Sequence, residues 1–280
     1  MGYLKKTWHC RNGSQVMEYH SRKFHPPGEK RKPRQNKTSK RQEEANQRAK
    51  SMRIQRLILE NFGEGDKWIT LTFKPGEDPE GREECMKERQ KLLRWMKRQY
   101  QGFGEDLRWM SNMEKTRRGI WHIHLLVNNV PGTDVGKMVR KWWKERHGSI
   151  SRIQDTYLDG GFAKLADYMA KTERNEETGR ESFFSRSRNL REPSPEVKEY
   201  KRNAVLAAGG WKDIKVPKGM ELVKESVYEG IDECTGYPYR YYTLIRSGGS
   251  DVQNTHIPDV RQKRIRAGKE KIPLHDHGRP

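Results

Sequence analysis

Gly119-Ile120-Trp121-His122-Ile123-His124-Leu125-Leu126-Val127 is rich in β-branched and aromatic residues, the composition of a strand. Side chains on a strand alternate between faces, so His122 and His124 share one side of a sheet while Ile123 and Leu125 take the other. One face is thereby marked for a core and the other for chemistry. Just upstream, Leu107 to Glu114 also reads as a strand, and Thr116-Arg117-Arg118-Gly119 as a tight turn, which predicts an antiparallel hairpin. The same His-x-His spacing recurs at His275-Asp276-His277, but there Pro273, Gly278 and Pro280 surround a charged centre and nothing holds a strand. Context, not spacing, separates the two pairs.

The flanking chain supplies the remaining layers. Trp68-Ile69-Thr70-Leu71-Thr72-Phe73, closed by Lys74-Pro75-Gly76, reads as a strand. Pro79 to Tyr100 carries Met86, Leu92, Leu93, Trp95 and Met96 among charges and reads as a helix. Asp134 to His147 is a second helix, with Val135, Met138, Val139, Trp142 and Trp143 on one side. Ser149 to Tyr157 is a strand, and Gly160-Gly161 leads into a helix from Phe162 to about Thr172. The order β-α-β-β-α-β-α predicts an α+β fold: a central antiparallel sheet with helices packed on one face and the other face open for a site.

Outside this block the chain is polar. Gly28 to Lys50 is dominated by Lys, Arg, Gln, Asn and Glu, and a helical rhythm starts only near Gln42–Glu60. The expected organisation is a basic N-terminal arm and helix over residues 1–60, a catalytic domain over 61–193, a C-terminal extension with extra strands over 194–246, and a basic tail over 247–280. Glu173 to Glu196 is expected to be an extended loop. Within the extension, Glu221-Leu222-Val223 and Tyr239 to Ile245 have strand character, fit to extend the sheet.

The charge balance limits the partners. Over 280 residues, 58 Lys+Arg against 38 Asp+Glu leave +20 at pH 7, which favours nucleic acid or an anionic surface. No run approaches the ~18 apolar residues of a spanning helix, and the N-terminus lacks the apolar core of a signal peptide; no membrane role is expected. Cys10, Cys85 and Cys234 are isolated, with no Cys-x-x-Cys pair, so a reducing compartment is expected. There is no Gly-x-x-x-x-Gly-Lys-[Ser/Thr], so no NTP-driven helicase is expected.

Two imidazoles on one strand face make half of a divalent-metal site, and in so basic a chain they point to phosphodiester chemistry. Glu114, at the end of the neighbouring strand, is the candidate third ligand, provided the register places it on the histidine face. Tyr168 and Lys171 are three apart on a helix and share a side. A phenol can attack phosphorus to give a phosphotyrosine, with Lys171 steadying the phosphate or a water. Tyr157, at a strand end, is a weaker nucleophile candidate. Arg117 and Arg118, in the turn beside the histidines, are candidates to grip a DNA backbone. Trp142 and Trp143 could stack on bases, though at least one of them is expected in the core.

Thr70-Leu71-Thr72-Phe73, His122-Ile123-His124 and Tyr168-Met169-Ala170-Lys171 together resemble the three ordered motifs of HUH endonucleases, named for the pattern His, hydrophobic residue, His. The order is similar to that of single-tyrosine rolling-circle replication initiators of phages, plasmids and integrative elements. Ser187-Arg188-Asn189-Leu190, followed by Pro193, resembles a segment that follows the tyrosine helix in some of these. The resemblance spans roughly residues 67–193. It implies a Mg²⁺- or Mn²⁺-dependent nickase and strand transferase acting on single-stranded or hairpin origin DNA in the cytoplasm of a bacterial host, with helicase and polymerase supplied by that host. A transposase of the same chemistry, acting at element ends, shares the motif order. A non-catalytic module of the RNA-recognition type shares the layout, but the sheet segments lack its aromatic pattern.

Overall fold

The computed structural model describes residues 2–20, 40–115, 119–147, 151–170, 184–207, 210–232 and 236–247. The described residues all belong to one compact unit. In chain order its elements are β1 (Tyr3–Cys10), β2 (Gly13–His20), α1 (Lys40–Asn61), β3 (Lys67–Thr72), α2 (Arg82–Gly102), β4 (Trp109–Lys115), β5 (Trp121–Val127), α3 (Val135–His147), β6 (Ser151–Asp155), α4 (Ala163–Ala170), β7 (Ser185–Arg186) and β8 (Glu196–Tyr200). A short pair follows, β9 (Leu206–Ala207) and β10 (Gly210–Trp211), and then β11 (Met220–Ile231) and β12 (Pro238–Arg246).

The histidine strand lies at the centre of one five-stranded antiparallel sheet, ordered β6-β3-β5-β4-β7. Its odd-numbered β3 and β5 side chains Ile69, Leu71, Ile123, Leu125 and Val127 are buried against Leu92, Met96 and Tyr100 of α2 and Val139 and Trp143 of α3. Buried positions on α2 recur three or four apart at Cys85, Arg89, Leu92, Met96 and Tyr100, the stripe a helix needs to lie on a sheet. The α+β class and the antiparallel order are as the sequence predicts.

The helices, however, lie on both faces rather than one. On the histidine face, Met110 and Leu126 are covered by Ile54, Leu57 and Ile58 of α1 and by Ala166 and Met169 of α4. That cover stops at one end, and the His122 end is left more open. The reason is the strand itself: Leu126 continues the His122–His124 face with an apolar residue, so the same face is core at one end and site at the other.

The N-terminal arm is corrected over residues 3–20. β1 and β2 form a hairpin inside a second five-stranded antiparallel sheet, ordered β11-β12-β2-β1-β8. Its charges are paired rather than solvated: buried Glu18 receives Arg240 Nε at 2.5 Å, and Lys5 lies 3.4 Å away. The extra C-terminal strands exist as predicted but complete this second sheet, not the first. α1 lies between the two sheets, with Cys10 and Ile245 from one and Met110 and Leu126 from the other meeting its apolar residues. The 173–196 loop is described only from residue 184, where β7 adds a short edge strand beside β4. Trp142 and Trp143 are both buried in the α2–α3 core, and Trp143 Nε1 donates to the Thr72 carbonyl at 2.8 Å. Neither serves as a base platform. Among the described residues no helix is long and apolar enough to cross a membrane.

Candidate active site

The hairpin register decides which side chains meet. Glu114 pairs directly with His122, and Asn112 with His124; on the other side Thr72 pairs with His122 and Thr70 with His124. Directly opposed residues share a face, so Glu114 lies on the histidine side, as the sequence reading required.

α4 delivers the tyrosine. Gly160, Gly161 and Phe162 have φ of 56, 58 and 59°, one left-handed turn that swings the chain back over the sheet before α4 begins. Phe162 is the one non-glycine residue with positive φ among the described residues, and its burial against α1 and α4 residues holds it there. α4 is then fastened to α1: the Ser51 hydroxyl donates to Asp167, and Gln47 Nε2 donates to the Ala170 carbonyl at 2.8 Å. Tyr168 is thereby aimed at the histidine face.

Its hydroxyl donates to Glu114 Oε1 and lies 2.6 Å from His124 Nε2. His124 Nε2 is also 3.0 Å from Glu114 Oε1, and His124 Nδ1 is 3.1 Å from Thr70 Oγ1. His124 is 4% exposed and therefore has few other partners. Trp68 stacks on its ring at 5.6 Å and 11°, and meets Tyr168 edge-on at 5.8 Å. His122 Nδ1 lies 3.4 Å from Thr72 Oγ1, and its ring is 6.2 Å from that of His124. Burial and the neighbouring His124 hold the His122 imidazole below its ordinary pKa, against the pull of Glu114 and Asp78. The neutral imidazole is the form that binds a metal.

The donor set suits a divalent cation in kind. Two imidazoles and a carboxylate bind such ions while leaving positions open, and the 3.0 Å between His124 Nε2 and Glu114 Oε1 is about the edge of an octahedron with ~2.1 Å bonds. Buried Asn112 lies on the same floor, and its Oδ1 has no hydrogen-bond partner among the described residues. Among the described residues no three His, Cys, Asp or Glu side chains are arranged so that they could hold a metal ion; here Tyr168 takes the contacts between His124 and Glu114.

Four positions bear on the remaining expectations. Lys171, Arg117 and Arg118 lie outside the described residues. Tyr157 follows β6 at the end where Asp155 pairs with Lys67, roughly 15–20 Å along the strands from the histidine end, so it is no substitute for Tyr168. Arg152, opposite Thr70 on the edge strand, is an exposed cation on the histidine face that the sequence reading passed over. Thr70, Thr72 and Trp68 were likewise given no role, although their period of two beside the histidine strand carried the signal.

Residues 66–173 match the model of a family described as replication-associated protein ORF2/G2P. The match runs from the start of β3 past the end of α4, and so contains Glu114, His122, His124 and Tyr168. This segment is similar to replication-associated proteins. No curated protein and no solved structure matches the chain.

Proposed function

We propose that this chain is a rolling-circle replication initiator that nicks and rejoins single-stranded DNA at an origin, with Tyr168 as nucleophile. One observation carries the reading: the Tyr168 hydroxyl meets Glu114 and His124 from 54 and 44 residues away in sequence, on the strand face that the His-x-His pattern marks. A half-buried tyrosine serving only as packing has no need of a carboxylate and an imidazole both at its hydroxyl. The likeness of residues 66–173 to replication-associated proteins supports the replication role.

In the reaction, Tyr168 Oη forms a bond to the scissile phosphorus as the bond from phosphorus to the 3′ oxygen breaks. The phenolic proton passes to water, and the departing 3′ oxygen takes up a proton from water to become a hydroxyl. The 5′ end stays on the enzyme as a phosphotyrosine, and attack by a 3′-hydroxyl reverses the sequence and reseals the strand. Thr70 fixes the His124 ring through Nδ1, which keeps Nε2 directed at the tyrosine. His122, His124 and Glu114 are the residues that would hold Mg²⁺ or Mn²⁺, which when bound neutralises charge developing on the non-bridging oxygens. Lys171, three residues beyond the nucleophile, is assigned to steady the phosphate; Arg117 and Arg118 are assigned to the DNA backbone. Unwinding and synthesis fall to a host helicase and polymerase.

Labelled single-stranded oligonucleotides tiling the element's own non-coding DNA test this, with Mn²⁺ or EDTA and with wild type beside Tyr168→Phe. The expected result is metal-dependent cleavage with a protein-linked 5′ product, absent in the variant. Cleavage that persists in Tyr168→Phe, or no cleavage of any tile, overturns the mechanism.

A further inference from the structure

The second sheet has a face for which the chemistry above finds no use. Strand alternation and register put Tyr228, Tyr241, Met17 and Lys6 in one row across it, with Tyr239 on β12 and Tyr19 and Leu4, paired on β2 and β1, in the next. The opposite face is packed with Val16, Tyr242, Leu244, Ile214 and Leu222. On the tyrosine face α1 and its neighbours cover the end near Gln15 and Gly161, and the aromatic rows beyond are half-buried.

The rings are gathered rather than scattered. Tyr239 and Tyr241 meet edge-on at 5.5 Å, and Tyr228 lies 6.0 and 6.5 Å from them. Gly230, opposite Tyr239, makes this possible: a Cβ there would fall 2.7 Å from the Tyr239 ring, which lies across the glycine. Cations stand over the same rings, with the Arg48 guanidinium 3.7 Å from the Tyr228 centroid and Lys6 Nζ 5.3 Å from that of Tyr19. The carboxylate that the register adds to these rows is Glu199, on the edge strand β8.

We propose that this face is a platform on which unpaired bases of single-stranded DNA stack, with Arg48 and Lys6 meeting the phosphates between them. Aromatic side chains beside cations are the general means of holding a single strand without reading its sequence, and the chain's +20 charge favours such a partner. The choice of DNA rests on the proposed function. The platform is also tied to the nucleophile: the turn of α1 that presents Arg48 to Tyr228 carries Gln47 and Ser51, which hold Ala170 and Asp167 on either side of Tyr168. A strand leaving the active site over α1 therefore meets the tyrosines at a fixed offset.

Fluorescence anisotropy tests this in full-length Tyr168→Phe protein, which separates binding from cleavage. The probe is an oligothymidylate of about 16 nucleotides, the upper end of the footprint of one single-strand-binding fold. Replacing Tyr239 and Tyr241 together by Leu, which keeps apolar bulk and removes the rings, is expected to weaken binding about tenfold or more. Replacing both by Phe is expected to retain it, and affinity for a blunt hairpin duplex is expected to change less than about twofold, since its bases are already stacked. Arg48→Gln is expected to lower the slope of log K against log salt by about 0.7. Unchanged affinity in the Leu pair, equal loss on the duplex, or an unchanged salt slope overturns the proposal. If oligonucleotide tiles are nicked but the Leu pair binds normally, the platform fails and the nickase stands. If the Leu pair loses the single strand but no tile is cut, the platform stands alone.

Discussion

His124 has both ring nitrogens engaged, one by Thr70 and the other by Tyr168 and Glu114. Of these partners Thr70 alone is a neighbour whose task is orientation. Thr70→Val keeps the shape and removes the hydroxyl, so Nδ1 loses its partner and the ring its reference. Single-turnover nicking is expected to fall by about tenfold or more, with oligonucleotide affinity unchanged and Thr70→Ser restoring the rate. Loss of affinity with an intact rate constant would assign Thr70 to binding instead. At this scale the sequence was informative where the period of two was strict: His122 and His124 on one face, and Glu114 conditional on register. It was silent on Thr70, because a threonine in a strand is ordinary until its partner across the ladder is known. It was silent too on Glu18, whose partner Arg240 lies 222 residues away.

The element that aims Tyr168 is the left-handed turn before α4. Gly160 and Gly161 have nearly the same φ, yet their surroundings differ. A Cβ on Gly160 meets nothing within 4 Å, while one on Gly161 lies 3.2 Å from both Ile245 Cγ2 and Thr243 Cγ2 and 3.4 Å from Gln55 Nε2. Gly160→Ala is expected to lose about 1 kcal/mol for the left-handed backbone alone. Gly161→Ala is expected to lose more, because β12 and α1 must also give way. Urea titration of the two variants isolates the packing contribution; equal losses would show that the turn does not lean on the second sheet. Apart from the two-residue β7, the strands and helices of the first sheet were legible as elements, since each has a clean period and a glycine or proline stop. β1 and β2 were not, since residues 1–60 read as a basic arm and helix when the strands that pair with them lie so far away in sequence.

For the whole molecule, α1 is the shared layer. Its apolar residues form one cluster with members of both sheets, so the two sheets are expected to melt together. Ile58 is fully buried in that cluster. Ile58→Ala is expected to cost about 2–5 kcal/mol, with tryptophan fluorescence and far-ultraviolet circular dichroism shifting in a single coincident transition. Two separated transitions would mean that the sheets unfold independently. The same placement explains why the segment carrying His122, His124 and Tyr168 could be read without its support: the face that α1 buries on the first sheet amounts to Met110, Leu126 and little else on the strands, and nothing in those two residues says which helix will cover them.

The order in which the chain is made bears on the second sheet. β2 is made well before the strand that pairs with its free side, β12, which ends at Arg246. At synthesis rates of 5–20 residues per second, the 222 residues between Glu18 and Arg240 take roughly 10–45 s to emerge. Throughout that interval the hairpin carries an unclosed edge and a Glu18 carboxylate without its Arg240 partner, and every strand of the histidine sheet is made before the interval ends. Closure of the sheet thus waits for β12 to emerge, and a message truncated before Pro238 yields a chain whose edge never closes.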